Sequence, residues 1–168
     1  QLIAFIHDNK PDGTLDANDL DSTSAGHVTS WANTMKNYMD NTGVVVWSNS
    51  NSFTNNGYTG ADTNSGMPYI FTDLQKAWIT VINVNVAGAS LSSSTASLSS
   101  ATCGLAAPWC LAADGTDNYS ATSNNGGTPD YASWTGTSMA GPQVAGGVAL
   151  LSQAFPNHTP EQIVDRLL

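Results

Sequence analysis

Three short runs of apolar residues most constrain the fold of this chain. They cover residues 2–6, 44–47 and 78–86. Such runs are typical of strands that are buried on both faces, as in parallel sheets covered by helices. Between the first two runs lies an apolar helical stripe, made of Trp31, Met35, Tyr38 and Met39. Strands that alternate with helices predict an α/β fold with a mostly parallel sheet and helices on both faces.

Length and charge limit the architecture and the partners. The chain has 168 residues, with 4 Lys and Arg against 13 Asp and Glu, and a net charge of −9. This length suits one domain with a sizeable core, so we assign residues 1–168 to a single domain. The negative charge disfavours binding to nucleic acids and anionic membrane surfaces, and no apolar run reaches membrane-spanning length. Because the chain starts at Gln1 and not at methionine, we expect that an upstream segment has been removed.

The most specific motif is Gly136-Thr137-Ser138, which precedes apolar residues at helical spacing, namely Val144, Val148, Leu151 and Phe155. This pattern predicts that Ser138 lies where a loop enters a helix, with Pro142 in the first turn. A hydroxyl there is close to unpaired backbone N–H groups and to the positive end of the helix dipole, which stabilise negative charge. Such an environment suits a serine that attacks a carbonyl group. The alternative is that Thr137 and Ser138 form an ordinary N-cap.

The wider segment 133–148 reads Ser-Trp-Thr-Gly-Thr-Ser-Met-Ala-Gly-Pro-Gln-Val-Ala-Gly-Gly-Val, and it resembles the nucleophile segment of the subtilisin-like serine proteases, or subtilases. The chain departs from the family at Gln143, where a histidine is usual. The resemblance implies a subtilisin-like α/β fold. It also implies a serine-type endopeptidase that hydrolyses polypeptides through an acyl-enzyme on Ser138.

Serine needs a base to take its proton and a carboxylate to orient that base. His158 follows Ser138 by twenty residues, beyond the same predicted helix, so it is expected to lie about 25 Å away. His7 and His27 do not match the His-Gly-Thr-His-Val pattern of the subtilase base. The resemblance covers only the later part of the subtilase domain, so the catalytic Asp and His are expected upstream of Gln1. The chain is then the serine-bearing C-terminal portion of one catalytic domain, incomplete at its N-terminal side and inactive alone, and its partners are that upstream segment and a polypeptide substrate.

A second resemblance involves residues 44–51, Val-Val-Val-Trp-Ser-Asn-Ser-Asn, which are similar to the subtilase strand ending in Ala-Ala-Gly-Asn. It implies that Asn51 donates a hydrogen bond to the oxyanion, and that the backbone of Ser48, Asn49 and Ser50 lines the pocket for the substrate side chain. Because Ser50 replaces the usual glycine, Asn49 stays an alternative donor. Asn51 could also be a simple turn residue.

The two cysteines, Cys103 and Cys110, are close enough in sequence to close a small loop by a disulfide, which implies an oxidising compartment. Two cysteines alone make a poor zinc site, and buried free thiols are the alternative. The segment that begins at Cys103 and continues to Ala113 also resembles the autotransporter-type subtilases. That resemblance implies a bacterial protease that is secreted or displayed at the cell surface.

A calcium loop is a rival interpretation of the acidic stretch that contains Asp8, Asp12, Asp16 and Asp19. The stretch fails the calcium-loop pattern at Lys10, which offers no oxygen ligand, so we predict no required cofactor and treat calcium as an alternative.

Further along, Thr159 opens a capping box that predicts a last helix up to Leu168, and residues 116–130 have the composition of a polar loop.

Two other function classes compete with the protease. An α/β-hydrolase esterase would have Gly-x-Ser-x-Gly at its nucleophile, but Ala140 occupies the last position here. The second alternative is a noncatalytic module, or an inactive fragment, that keeps the protease fold without its base.

Overall fold

The computed structural model describes residues 22–51, 60–86, 96–122 and 130–168, and the predicted strand at residues 2–6 lies outside them. The α-helices are α1 Ser22–Asn41, α2 Met67–Ile70, α3 Thr137–Ala154 and α4 Pro160–Val164. Two 3₁₀ helices span Thr72–Ala77 and Gly104–Trp109. The strands are β1 Val45–Ser48, β2 Trp78–Asn85, β3 Ser97–Leu98, β4 Cys110–Asp114, β5 Asn118–Ala121 and β6 Tyr131–Trp134.

The main sheet is built around β2, as its long apolar run predicts. β1 and β4 pair with it in parallel, with Val45 opposite Trp78 and Thr80 opposite Cys110. The short strand β3 pairs antiparallel near its end, where Val84 lies opposite Leu98. The mostly parallel sheet of the predicted α/β fold is therefore confirmed.

Helices lie on opposite faces of this sheet. On one face Trp78 packs edge-on to Trp31 of α1 and stacks on Trp47 of β1, with ring centroids 6.1 and 5.6 Å apart. Side chains alternate along a strand, so Ser48 points to the other face, where its hydroxyl meets α3 at Thr137. Trp78 is completely buried, because the sheet is covered where it carries its largest side chain. Within the described ranges, no helix has the length and apolar character needed to cross a membrane.

Two local predictions need correction. β5 lies inside the stretch 116–130 that we predicted as a loop, and it pairs antiparallel with β6, with Asn118 opposite Trp134. The capping box of Thr159 is present, but α4 ends at Val164 and does not reach Leu168. The N–H groups of Arg166 and Leu167 bond to carbonyls three residues back, so the α-helical bonding pattern is interrupted after Val164.

Candidate active site

Ser138 is the second residue of α3, and it is exposed. The helix starts directly after Gly136, at the sheet edge where the parallel strands end. Within the described residues, the Ser138 N–H has no hydrogen-bond acceptor, as is usual in the first turn of a helix. The predicted position of Ser138 at a helix entrance therefore matches the structure, and no group among the described residues accepts from its N–H.

Small residues allow α3 to approach β1 closely enough to place Ser138 there. Ala140, Gly141 and Val144 form the buried side of its first turns. A Cβ added to Gly141 would lie 2.6 Å from the Ser48 hydroxyl oxygen, so a larger residue there would force the Ser48 hydroxyl to shift. The Ser48 hydroxyl itself donates to the Thr137 carbonyl at 2.9 Å, so β1 and α3 are joined next to Ser138.

The helix start excludes one alternative and corrects one prediction. The N-cap is Gly136, which makes no side-chain cap, and Thr137 is already helical, so the alternative of an ordinary N-cap at Thr137 and Ser138 does not hold. Pro142 lies in the second turn, not in the first, because the helix begins at Thr137. Since proline has no N–H, Pro142 cannot give the Ser138 carbonyl its helical hydrogen bond.

Asn51 lies directly beside this helix start. Its side-chain oxygen Oδ1 accepts a hydrogen bond from the Thr137 N–H at 2.7 Å and lies 3.0 Å from the Thr137 hydroxyl oxygen. The amide packs against Gly136, where an added Cβ would lie 2.9 Å from the same oxygen. Because Thr137 occupies the oxygen, the NH₂ group is the part of the Asn51 amide that is left to donate to a ligand.

Thr137 is the residue whose role the sequence did not reveal. It is 1% exposed, and its hydroxyl donates to the Asn49 carbonyl at 2.6 Å. Thr137 thus fixes the end of the β1 segment and the Asn51 amide at the same time. The Gly-Thr-Ser motif contains the signal, but the motif alone does not say what the threonine contacts.

The three predicted pocket residues differ in their environment. Asn49 is 3% exposed, and its amide bonds to backbone groups of Asp62 and Thr102, each at 2.9 Å. Ser48 and Ser50 are half-buried, and the Ser50 carbonyl accepts a hydrogen bond from the Ala101 N–H at 3.1 Å. The buried and fully bonded Asn49 amide cannot reach a ligand at Ser138, which favours Asn51 as the donor.

Gly136 is held in place by a hydrogen bond to the turn that follows β4. The Gly136 N–H donates to the Gly115 carbonyl at 2.9 Å, and a Cβ on Gly115 would clash with the Gly136 carbonyl oxygen. Gln143, which stands where the subtilase family usually has a histidine, donates to the Asp114 carbonyl and to the Asn118 side-chain oxygen. Its amide therefore ties α3 to the segment that joins β4 and β5.

The described side chains bring no histidine to Ser138. His158 follows α3 at its far end, where its ring packs 4.9 Å from Phe155 and its Nε2 lies 3.0 Å from Arg166. The 18 residues of α3 separate the two ends by about 25 Å. His27 lies in α1, but its side chain is outside the described residues, and so is all of His7.

The candidate calcium residues cannot be compared with the structure, whereas the predicted disulfide can. The candidate calcium residues Asp8, Asp12, Asp16 and Asp19 lie outside the described residues, and the described part of the chain contains no cluster of three possible metal ligands. The predicted disulfide between Cys103 and Cys110 is present and encloses the 3₁₀ helix Gly104–Trp109. Trp109 anchors this helix in the core by donating to the Ser65 carbonyl at 3.1 Å.

Comparison with known proteins identifies the family. A model of the subtilase family matches residues 11–168. This chain belongs to the subtilase family. The subtilase is 32% identical over 126 residues to "Extracellular serine protease" of Serratia marcescens, an alignment that covers 64% of this chain and 12% of the relative. It is 54% identical over 46 residues to "Fervidolysin" of Fervidobacterium pennivorans, which covers 27% of this chain and 6% of that relative. The chain therefore spans a small part of the length of both relatives.

Proposed function

We propose that this subtilase chain carries the nucleophile of a serine endopeptidase that hydrolyses polypeptides. One observation carries the proposal: an exposed serine at the start of α3 lies next to an asparagine amide whose oxygen is held by the preceding residue. Negative charge that develops at this place is stabilised by the helix dipole and by the unpaired N–H groups of the first turn. The subtilase match supports the same chemistry.

In the proposed reaction the Ser138 hydroxyl attacks the carbonyl carbon of the scissile peptide bond while a base takes its proton. The carbonyl oxygen becomes negatively charged and accepts hydrogen bonds from the Ser138 N–H and the Asn51 amide. The intermediate then collapses, the C–N bond breaks, and the base passes its proton to the leaving amine. Water, activated by the same base, hydrolyses the acyl-enzyme and restores the Ser138 hydroxyl. We expect the base and its carboxylate, a histidine and an aspartate, on a segment upstream of this chain.

The place of action proposed for the protease is outside the cell. The disulfide between Cys103 and Cys110 supports an oxidising compartment, and the name of the Serratia marcescens relative supports secretion. The resemblance of the cysteine segment to autotransporter-type subtilases supports a bacterial cell-surface or secreted protease of that branch. Calcium binding by the aspartates between Asp8 and Asp19 stays a prediction.

A second candidate function is a noncatalytic module with the subtilase fold. The observation that favours it is that the described side chains bring no histidine to Ser138. Such a module would keep the Ser138 and Asn51 geometry, but the serine hydroxyl would not be activated.

A fluorophosphonate probe separates the two functions, because it reacts only with an activated serine. We expect the full-length protein that carries this chain to be labelled, and Ser138→Ala to abolish labelling. Ser152→Ala is the matched control, since Ser152 is exposed on the same helix and should not affect labelling. A folded protein that is never labelled would favour the noncatalytic module, and labelling that survives Ser138→Ala would refute Ser138 as the nucleophile.

A further inference from the structure

The hydroxyl of Ser48 bonds to one particular peptide group at the start of α3. It donates to the Thr137 carbonyl oxygen at 2.9 Å. The same peptide group carries the Ser138 N–H, which has no acceptor among the described residues. Because the C=O and the N–H of a trans peptide group point in opposite directions, Ser48 bonds to the end that lies opposite this N–H.

We propose that Ser48 is a positioning residue for the oxyanion, and that it acts through the peptide group that joins Thr137 and Ser138. This proposal rests on the proposed function, in which the Ser138 N–H is one of the two oxyanion donors. Ser48 does not touch the substrate. Its hydroxyl orients the peptide group and makes the N–H of that group a stronger donor.

Two effects of a hydrogen bond to the Thr137 carbonyl support this role. The bond restricts the tilt of the peptide plane, so the N–H at the other end keeps one direction. Hydrogen bonds along a chain also polarise one another, so an N–H donates more strongly when the carbonyl of its own peptide group accepts a bond. Since fixed donors stabilise charge as it develops, both effects lower the energy of the transition state more than that of the bound substrate.

The helix itself does not provide this bond. In an α-helix the Thr137 carbonyl accepts from the N–H four residues later, which belongs to Gly141. A carbonyl oxygen has two lone pairs, so the Ser48 hydroxyl adds a second bond to the same oxygen. The bond therefore comes from β1, and it links the strand to the peptide group of the proposed oxyanion donor.

The packing of α3 on β1 leaves room for this hydroxyl. A Cβ added to Gly141 would lie 2.6 Å from the Ser48 hydroxyl oxygen, but 3.9 Å from the Ser48 Cβ, which is an ordinary contact. A side chain at position 141 would therefore meet the hydroxyl and not the strand. Glycine at this position allows the Ser48 hydroxyl to reach the Thr137 carbonyl.

The sequence adds a separate reason to assign the role to Ser48. In the family strand that residues 44–51 resemble, which ends in Ala-Ala-Gly-Asn, alanine occupies the position of Ser48. Alanine has no hydroxyl, so that strand is built without this bond to the helix. The hydroxyl of Ser48 is therefore better explained by an effect on the adjacent site than by a need of the fold.

The test compares the full-length protein with its Ser48→Ala variant, on peptide substrates that differ only in the residue before the scissile bond. The value of kcat should fall about three- to tenfold with little change in KM, because the lost bond acts mainly in the transition state. The factor should be the same for all substrates. A peptide aldehyde, which forms a tetrahedral adduct with an activated serine, should bind more weakly by the same factor. Ser152→Ala, at an exposed position of α3, is the matched control and should change none of these values.

Gly141→Ala tests the same bond from the helix side, and it keeps the proposal testable if Ser48→Ala does not fold. Its new Cβ should displace the Ser48 hydroxyl from the Thr137 carbonyl and lower kcat by a similar factor. In the Ser48→Ala background the hydroxyl is absent, so Gly141→Ala should cost little more. The two losses should therefore not add.

The proposal is overturned if Ser48→Ala keeps the wild-type kcat, or if the losses of Ser48→Ala and Gly141→Ala add. It is also overturned if the loss appears in KM and depends on the substrate side chain, because Ser48 would then contact the substrate. A wild-type protein that a fluorophosphonate never labels would instead refute the proposed function, so the two failures are distinguishable.

Discussion

The role of Asn51 can be tested by an isosteric change, Asn51→Asp. The side-chain oxygen of Asn51 accepts from the Thr137 N–H at 2.7 Å. A carboxylate of the same shape can accept the same bond. It replaces only the NH₂ group, which is the group we expect to donate to the oxyanion.

The geometry gives the sign of the two expected effects, and general magnitudes for such groups give their size. Stability should be kept or slightly raised, by about 0.3–1 kcal/mol, because the new charge lies at the N-terminus of α3. The rate should fall, since the loss of one oxyanion donor lowers kcat about 10²- to 10³-fold, a magnitude established for the corresponding asparagine of subtilisin. A carboxylate facing the oxyanion adds repulsion, so the loss should be at or above the upper end of this range.

The assay measures kcat, KM and thermal stability of the full-length protein and of two variants. Asn157→Asp is the control, because it makes the same chemical change at an exposed turn, away from Ser138. We expect Asn51→Asp to lower kcat with little change in KM, and the control to behave as wild type. If Asn51→Asp stays within tenfold of the wild-type kcat while Ser138→Ala is inactive, Asn51 is not the oxyanion donor.

Three further predictions concern stability. Replacing Cys103 and Cys110 by serine should lower the free energy of unfolding by about 2.5 kcal/mol, because an eight-residue loop is no longer closed in the unfolded chain; denaturant titration with and without reductant checks this. Thr159→Ala should lower it by about 1 kcal/mol, since the Gln162 N–H loses its cap, and the same titration measures the loss. The pKa of Asp40 is lowered, first by its hydrogen bond to Lys36, so its contribution is present above its ordinary value of 3.8 and is lost as the pH falls through the lower folded value. Asp40→Asn should therefore weaken the acid dependence of stability at low salt, and high salt should remove the difference, because the pair is exposed.

The elements that the sequence predicted correctly are those with a strong apolar pattern. The helical stripe of α1 is one example: Met39 is 1% exposed and Trp31 and Met35 pack against the core, although Tyr38 is 44% exposed. The run that became β2 is another, because five of its eight residues are buried. In both cases burial against the core determines the secondary structure, so periodicity alone is informative.

The predictions that failed concern places where hydrogen bonds decide the structure. β5 and β6 are mostly exposed, with Tyr119 and Tyr131 stacked on the surface, so no buried face gives their sequences a pattern. At the end of α4 the N–H groups of Arg166 and Leu167 bond to carbonyls three residues back, and no capping residue in the sequence signals this change. Sequence composition describes such segments only as polar, and cannot tell a hairpin from a loop.

In the candidate site, one part follows from an apolar pattern and another part depends on hydrogen bonds. Ser138 could be located because the buried face of α3 gives a helical pattern and the Gly-Thr-Ser motif marks its start. The contacts that orient Asn51 could not be predicted, because they pass through a stack of backbone and amide groups from three segments. Asn83 of β2 accepts from the Gly115 N–H at 2.7 Å, Gly115 accepts from the Gly136 N–H at 2.9 Å, and Gly136 packs against the Asn51 amide.

This stack of groups explains why two positions next to the candidate site are glycines. Asn83 is completely buried, so its hydrogen bond to Gly115 fixes the turn after β4 from within the core. Gly115 and Gly136 must both lack a Cβ, because each is in contact with the next layer. The Asn51 amide therefore rests on a support that cannot shift without breaking a buried hydrogen bond, and such fixed donors can stabilise developing charge without first reorganising. The geometry at Ser138 depends on this rigidity as much as on the residues that would touch the substrate.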